Sequence, residues 1–238
     1  MPSQINLQIT GRIRNHVFYK IGDKYYARSV PGKVKQTKAT KKRATQFGKA
    51  SRAGKCLRQQ LLPVIPFPAD NKMQTRLVSV IFQWLKPTPD SLPQPCDPVP
   101  YVSTYQFTEG YTVAERWKVN LAVSCSSPGT LELKVPAFVP LKSISAPAGT
   151  VFVKCTIAVA SCNVENGIGT GGFSTSILYD YNDEEVPEQT VSLPIPTPVG
   201  SLIVTAIFLE YNFIKNGHPQ KTGNKAFMPA GIVSAMYL

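Results

Sequence analysis

Two long runs of apolar, largely β-branched residues constrain the fold of this chain more than any other feature. Residues 151–161 read VFVKCTIAVAS and residues 202–214 read LIVTAIFLEYNFI, and both runs are nearly continuous. Runs of this kind are typical of central strands that are covered on both faces. The second half of the chain is therefore expected to build a β-rich domain around these two strands.

Further strands are predicted around these runs, separated by the turn sequences at 127–129, 146–149, 166–167 and 198–200. The predicted strands cover 101–107, 112–124, 130–135, 151–164, 174–181, 190–193, 202–213 and 227–238. Many strands without a long helical pattern predict a C-terminal antiparallel β-sandwich, of immunoglobulin-like or jelly-roll type. The whole chain is expected to be mainly β, with a small α+β module at its N-terminus.

A proline-rich segment marks the predicted domain boundary. Residues 87–100 hold six prolines in 14 positions, which favours an extended, semi-rigid linker; a ligand for a proline-binding groove is the alternative. We therefore predict a basic module of one β-hairpin and two helices at 1–86, the linker at 87–100 and the β-sandwich domain at 101–238.

Charge changes sign across the same boundary. The 238 residues carry a formal charge of +12, yet residues 1–86 hold 18 Lys or Arg against two acids, and residues 87–238 have a net charge of −4. This asymmetry predicts that the basic part meets a polyanion, meaning nucleic acid, an anionic membrane or an acidic partner. The alternatives are a basic solvated surface and docking of the basic part on the acidic part of a neighbouring copy.

The basic module has recognisable local patterns. A strand at 5–10, interrupted by Gly11, precedes strands at 12–20 and 24–30 that are joined by Ile21-Gly22-Asp23. One helix is predicted from an N-cap at Thr40 to Leu62 and a second after an N-cap at Asp70. Their apolar stripes are Phe47, Ala50, Gly54, Leu57 and Leu61 in the first helix, and Met73, Leu77, Val80 or Ile81, and Trp84 in the second. The helix-interior glycines Gly48 and Gly54 indicate a close approach to the backbone.

Cations and aromatic residues are interleaved in this module and form the candidate binding surface. Lys and Arg neutralise phosphates with little sequence preference, and aromatic rings stack on exposed bases. The predicted contacts to nucleic acid or to an acidic partner are Arg12, Arg14, Lys20, Lys24, Arg28, Lys33, Lys35, Lys38, Lys41, Lys42, Arg43, Lys49, Arg52, Lys55 and Arg58. Base stacking is predicted for Phe18, Tyr19, Tyr25 and Tyr26, about half of which are expected to pack inward because strand residues alternate between faces.

The sequence contains no catalytic, metal or cofactor signature, so neither an enzyme activity nor a cofactor is predicted. The segment Gly167–Gly172 (GIGTGG) lacks the Lys-Ser/Thr of a phosphate-binding loop and is predicted to be a flexible hairpin loop. The acidic cluster of Asp180, Asp183, Glu184, Glu185 and Glu188 lacks calcium-loop spacing and indicates a solvated or docking loop. Five cysteines without a CxxC pair and two distant histidines give no metal-ligand spacing.

The first 16 residues lack the regions of a signal peptide, and no apolar run is long enough for a membrane span. A cytoplasmic protein is expected, with export by an unusual route left open.

A further pattern begins with Gly11, Asn15, Phe18-Tyr19-Lys20, Gly22, Tyr26 and Arg28 and continues with Lys35, Thr37 and FGKAS at 47–51. This pattern resembles a family of short uncharacterised proteins common in Bacteroidota genomes, in which a similar opening precedes a variable β-rich region. The resemblance covers about the first quarter of the chain. It implies a bacterial origin and a shared N-terminal module, and it carries over no functional residues.

The leading hypothesis is a non-enzymatic structural or assembly protein, expected to form homo-oligomers. Its β-sandwich makes protein–protein contacts, and its basic module engages nucleic acid non-specifically or the acidic surface of another copy. The alternative is a β-sandwich that binds a small molecule or glycan, with the basic module as a tether. A hydrolase whose carboxylates meet only in space is the third and weakest hypothesis.

Overall fold

The structure is a computed structural model that describes residues 3–5, 8–32, 35–64, 72–86, 97–108, 110, 112–127, 129–195, 200–223 and 227–238. The chain is mainly β with antiparallel sheets, and it divides into two compact units, Met1–Lys42 and Arg43–Leu238. In the described ranges, no helix combines the length and the apolar character that crossing a membrane requires.

The first unit is a four-stranded antiparallel meander, with neighbouring strands in chain order. Its strands are β1 (Ser3–Ile5), β2 (Gln8–Ile13), β3 (His16–Ile21) and β4 (Lys24–Ser29). The predicted hairpin is confirmed, because the two-residue turn between β3 and β4 places Gly22 at φ +58°, as a tight hairpin turn requires. The single strand predicted over 12–20 is wrong: a second turn at Arg14 and Asn15 divides it. Gly11 does not end a strand but lies inside β2.

Two long helices follow, α1 (Lys38–Leu61) and α2 (Met73–Leu85). Both predicted helices are confirmed, and the second stripe continues through Ile81, which is buried, rather than Val80. The N-cap prediction for Thr40 is wrong, because the Thr37 hydroxyl accepts a hydrogen bond from the Thr40 amide at 3.2 Å. Thr37 therefore caps α1, one turn earlier than expected. The predicted cap at Asp70 lies outside the described residues.

The second unit contains two antiparallel sheets. The larger has the order β5-β13-β11-β8-β9, with β12 paired to the far end of β11, and the smaller has the order β10-β7-β6. The bounds are β5 Asp97–Pro98, β6 Ala122–Ser127, β7 Thr130–Val135, β8 Phe152–Asn163, β9 Gly169–Asp180, β10 Gln189–Pro194, β11 Ser201–Lys215, β12 His218–Lys221 and β13 Ala230–Tyr237. Three four-residue helices complete the unit: α3 (Pro100–Ser103), α4 (Val113–Arg116) and α5 (Pro140–Ser143).

The two apolar runs form the adjacent central strands β8 and β11, and both faces of each are covered. On one face, Ala158 and Ala160 of β8 and Leu202 and Val204 of β11 pack with the buried sides of α1 and α2. On the other face, residues of odd number such as Ile203 pack with the smaller sheet. Because successive strand residues point to opposite faces, a continuous apolar run supplies both cores at once.

Two of the predicted strands are replaced in part by helix. Residues 101–107 begin in α3, which has Pro100 in its first turn. Only the end of this segment is extended, where the Phe107 amide donates to the Ala230 carbonyl at 2.7 Å. Residues 112–124 begin in α4, because Thr112 and Glu115 form a reciprocal capping box. The strand there starts only at Ala122.

The segment Gly167–Gly172 is not the flexible loop that the sequence predicts. Gly169 begins the edge strand β9, and helix α1 passes directly over it. A Cβ at Gly169 would overlap the Gln60 side chain, and one at Gly172 would overlap the Gln60 backbone carbonyl. These glycines therefore let a helix lie against the strand at backbone distance.

The boundary between the two units lies at residue 42, not in the proline-rich segment, of which residues 87–96 are outside the described part. Helices α1 and α2 bury residues such as Leu57 and Leu77 in one core with the larger sheet. They belong to the second unit from Arg43 onward. The physical reason is that apolar helix faces need a partner, and the sheet supplies a larger one than the hairpin does.

The two glycines inside α1 predict opposite effects of added side chains. A Cβ at Gly54 would lie 2.9 Å from Val78 Cγ2 of α2, whereas a Cβ at Gly48 would have no atom within 4 Å. We expect Gly48→Ala to raise the free energy of unfolding by about 0.5–1 kcal/mol through helix propensity. Gly54→Ala is expected to lower it by about 1 kcal/mol, because overpacking costs about 1–3 kcal/mol. Urea unfolding followed by circular dichroism measures both, and equal stabilisation by the two variants would contradict the close helix crossing.

Candidate nucleic-acid interface

The sheet of the first unit has no core of its own among the residues that the structure describes. None of the described side chains in 9–32 is buried. Even large apolar groups are open to solvent, with Ile21 62% and Tyr26 43% exposed. A sheet with two open faces is unusual, because three or more strands normally bury one apolar face.

One face of this sheet carries a stacked pair of tyrosines. Tyr19 of β3 and Tyr26 of β4 are opposite each other in the strand register, and their ring centroids lie 5.8 Å apart at an interplanar angle of 24°. The Arg28 guanidinium lies 5.8 Å from the centre of the Tyr19 ring. Because residues two apart share a face, Lys24 of β4 lies on this side as well. The result is an aromatic surface bordered by cations.

The opposite face has the remaining two predicted stacking residues. The Lys20 ammonium lies 5.6 Å from the centre of the Tyr25 ring. The ring centroids of Phe18 and His16 lie 6.4 Å apart. Lys20 also forms an exposed ion pair with Asp23 at 3.7 Å. Half of the aromatic residues were expected to pack inward, but in the described structure neither face of the sheet buries them.

The charge of the first unit is almost entirely positive. Residues 1–42 hold ten Lys or Arg and one acid, Asp23, for a formal charge of +9, which leaves +3 for residues 43–238. The predicted contact residues in this unit with described side chains are all exposed: Arg12, Arg14, Lys20, Lys24, Arg28, Lys35, Lys38, Lys41 and Lys42. Lys33 lies outside the described residues.

Two of the predicted cations of the second unit interact with one acidic residue, Glu165. The Lys49 ammonium donates to the Glu165 carboxylate at 2.6 Å, and Arg52 donates to the Glu165 backbone carbonyl at 3.2 Å. The Arg58 side chain is half-buried. Of the predicted contact residues in this unit, Arg43 and Lys55 are exposed and do not interact with Glu165. Glu165 was not singled out from the sequence, where nothing marks its contact with a helix more than 100 residues earlier.

The acidic cluster of the second unit forms an exposed loop. Asp180, Asp183, Glu184, Glu185 and Glu188 all expose their side chains at or just after the end of β9. In the ranges that the structure describes, no group of three His, Cys, Asp or Glu side chains is arranged to hold a metal ion.

The second unit also contains a cavity of about 580 Å³ beside β13. Its lining combines polar groups such as Thr104 and Asn120 with the apolar side chains of Trp117, Leu121 and Ile232. None of the described residues that line it carries a charge. The cavity is therefore suited to a neutral ligand rather than to a phosphate or a carboxylate.

Comparisons with known proteins were made by family and by sequence. No protein-family model matches the chain, and a search of curated proteins finds no significantly similar sequence.

Proposed function

We propose that this protein is a non-enzymatic structural or assembly protein. Its first unit binds single-stranded nucleic acid with little sequence preference, and its β-rich second unit makes the protein–protein contacts of a homo-oligomeric assembly. The observation that carries the proposal is the open, aromatic and cationic sheet of residues 8–32.

Charge and exposure together support a nucleic-acid ligand. Ten cations in 42 residues produce a local positive potential that attracts a nucleic acid whatever the sequence of its bases. Contacts of this kind release counterions from the phosphate backbone, so the affinity falls steeply as salt rises. Five of these cations belong to the sheet and its turns, namely Arg12, Arg14, Lys20, Lys24 and Arg28, and their side chains are exposed, so phosphates can reach them.

The tyrosine pair favours nucleic acid over an acidic protein as the ligand. An acidic protein surface presents carboxylates, which gain nothing from flat exposed rings. Unpaired bases stack on such rings, and each stacked base contributes about 1–3 kcal/mol. The Tyr19 and Tyr26 rings are stacked and the Arg28 guanidinium lies over the Tyr19 ring, so the surface combines aromatic faces with a cation.

The assembly role rests on the second unit. The face formed by residues such as Ile203 and Leu209 packs against Leu131 and Leu133 of the smaller sheet. We take these two sheets as the layers of a β-sandwich of immunoglobulin-like or jelly-roll type, the architecture expected from the sequence. In the described residues, strand β9 is the last strand at one end of the larger sheet, and the end of a sheet is where a second copy can add a strand.

The first experiment measures binding of the full chain to a fluorescently labelled 20-nucleotide oligo-dT by anisotropy, over a series of salt concentrations. We expect tight binding at low salt and a linear fall of log K with log salt, with a slope of about −0.7 per phosphate contact. The triple variant Arg12→Gln, Lys24→Gln, Arg28→Gln should lower the slope in magnitude by about 2. The control, Lys118→Gln with Lys134→Gln, changes exposed cations of the second unit and should leave the slope unchanged.

A second experiment tests stacking. Tyr26→Ala is expected to weaken binding to oligo-dT by about 5- to 100-fold, since it removes one stacking ring. Tyr101→Ala removes a tyrosine that is 54% exposed in the second unit and should have no effect. Equal losses from both tyrosines would contradict the stacking surface. Binding of an acidic polypeptide such as poly-glutamate as tightly as oligo-dT would identify a protein ligand instead.

The neutral cavity supports a second candidate function, binding of a small uncharged molecule such as a sugar. A ligand at 100 times its Kd would raise the free energy of unfolding by about 2.7 kcal/mol. We expect thermal unfolding with a panel of neutral mono- and disaccharides to show such a shift for at least one ligand. Asn120→Ala should abolish the shift, whereas Asn182→Ala, on another loop, should retain it. The absence of a shift across the panel would rule out a sugar ligand.

A further inference from the structure

Two cysteines lie together where helix α1 crosses the larger sheet. Cys56 of α1 and Cys162 of β8 are both buried, and both belong to the core that the helices share with this sheet. Cys162 is paired in register with Gly169 of β9. A Cβ at Gly169 would lie 2.6 Å from Cys56 Sγ. The Cys56 sulfur therefore lies directly over the Cys162–Gly169 pair, in the space that a larger residue at 169 would fill.

The hydrogen bonds around Cys56 favour its thiolate. Gln60 Nε2 donates to Cys56 Sγ at 2.9 Å and to the Ser161 carbonyl at 2.9 Å, so one amide holds the helix thiol beside the strand. Hydrogen bonding with Cys162, assisted by that of Gln60, lowers the pKa of Cys56 to about 7 despite burial. The hydrogen bond with Cys56 and burial raise the pKa of Cys162. The Cys162 thiol also donates to the Asn163 backbone carbonyl at 3.4 Å.

The arrangement supplies the two thiol roles of a redox-active pair. Such a pair needs one thiol that ionises near neutral pH and attacks an oxidant, and a neighbouring thiol that resolves the product. The other described cysteines are placed differently: Cys155 lies in the opposite core, where burial raises its pKa to about 12, and Cys125 is exposed.

We propose that Cys56 and Cys162 form a reversible intramolecular disulfide when the protein meets a peroxide. The Cys56 thiolate attacks one oxygen of hydrogen peroxide and the O–O bond breaks, which gives a sulfenic acid and a hydroxide that takes up a proton. Cys162 then attacks the Cys56 sulfur, the S–S bond forms, and the sulfenic oxygen leaves as water with the Cys162 proton. Two thiols are oxidised and one peroxide is reduced to two waters.

The disulfide would join α1 to β8 covalently at the closest helix–sheet contact. Helix α1 would then be fixed to the sheet by a bond in addition to its packing, and a thiol reductant would release it. The site lies wholly in the second unit, so this proposal is independent of nucleic-acid binding by the first.

The test uses the full chain treated with hydrogen peroxide, alkylated under denaturing conditions and digested for mass spectrometry. We expect a peptide pair linked through Cys56 and Cys162, lighter by two hydrogens than the separate peptides and separated by dithiothreitol. The rate of linkage should rise about tenfold between pH 6 and pH 8, following the thiolate fraction of Cys56. Cys125→Ser changes an exposed thiol and should leave the linkage intact.

Variants of the pair separate the two roles. Cys162→Ser should stop at a Cys56 sulfenic acid that dimedone traps, and Cys56→Ser should give neither product. Circular dichroism before treatment establishes that each variant is folded. A folded wild type in which peroxide modifies Cys125 while Cys56 and Cys162 are recovered as free thiols would overturn the proposal. Linkage that appears only in urea would overturn it as well.

Discussion

The close packing of helix α1 on the larger sheet is the interaction on which most of the second unit depends. Gly54 brings α1 against α2, and Gly169 and Gly172 bring the same helix against β9. A side chain at any of these positions would push α1 away from the surfaces it covers. The contact buries one face of the central strands β8 and β11, and the smaller sheet then covers the other. The approach of α1 at backbone distance thus sets the core on one side of the central strands.

Among its described residues, the first unit has no comparable packing of a helix on its sheet. Its strands are held by backbone pairing and by cross-strand pairs such as Tyr19 with Tyr26. Surface pairs of this kind contribute only a few tenths of a kcal/mol up to about 1 kcal/mol each. A sheet stabilised this weakly gains from any ligand that covers a face, because binding adds directly to its stability. Stability and binding are therefore expected to be coupled in this unit.

The sequence predicted those elements whose pattern is local. The apolar runs gave β8 and β11, the spacing of buried residues gave α1 and α2, and Gly22 gave the hairpin. It did not predict features that depend on distant partners. GIGTGG has the composition of a loop, yet from Gly169 onward it belongs to strand β9, which pairs with β8 and lies under Gln60. The prolines at 87–100 suggested a domain boundary, but the helices before them share a core with the sheet after them. Similarly, no spacing rule connects Cys56 with Cys162, because their proximity arises only from the crossing of α1 over β8.

Charge counted along a sequence does not separate binding cations from structural ones. Lys49 and Arg52 belong to the basic stretch that the sequence predicts to bind a polyanion, yet both donate to Glu165. Their positive charge is partly neutralised within the second unit, where they fix the turn that leads into β9. The cations of the hairpin have only one acid near them in sequence, Asp23, and it is paired with Lys20 at the exposed turn. The hairpin sheet, residues 8–32, carries five Lys or Arg and one Asp, a formal charge of +4, so the charge on the proposed binding surface is smaller than the +16 of residues 1–86 suggested.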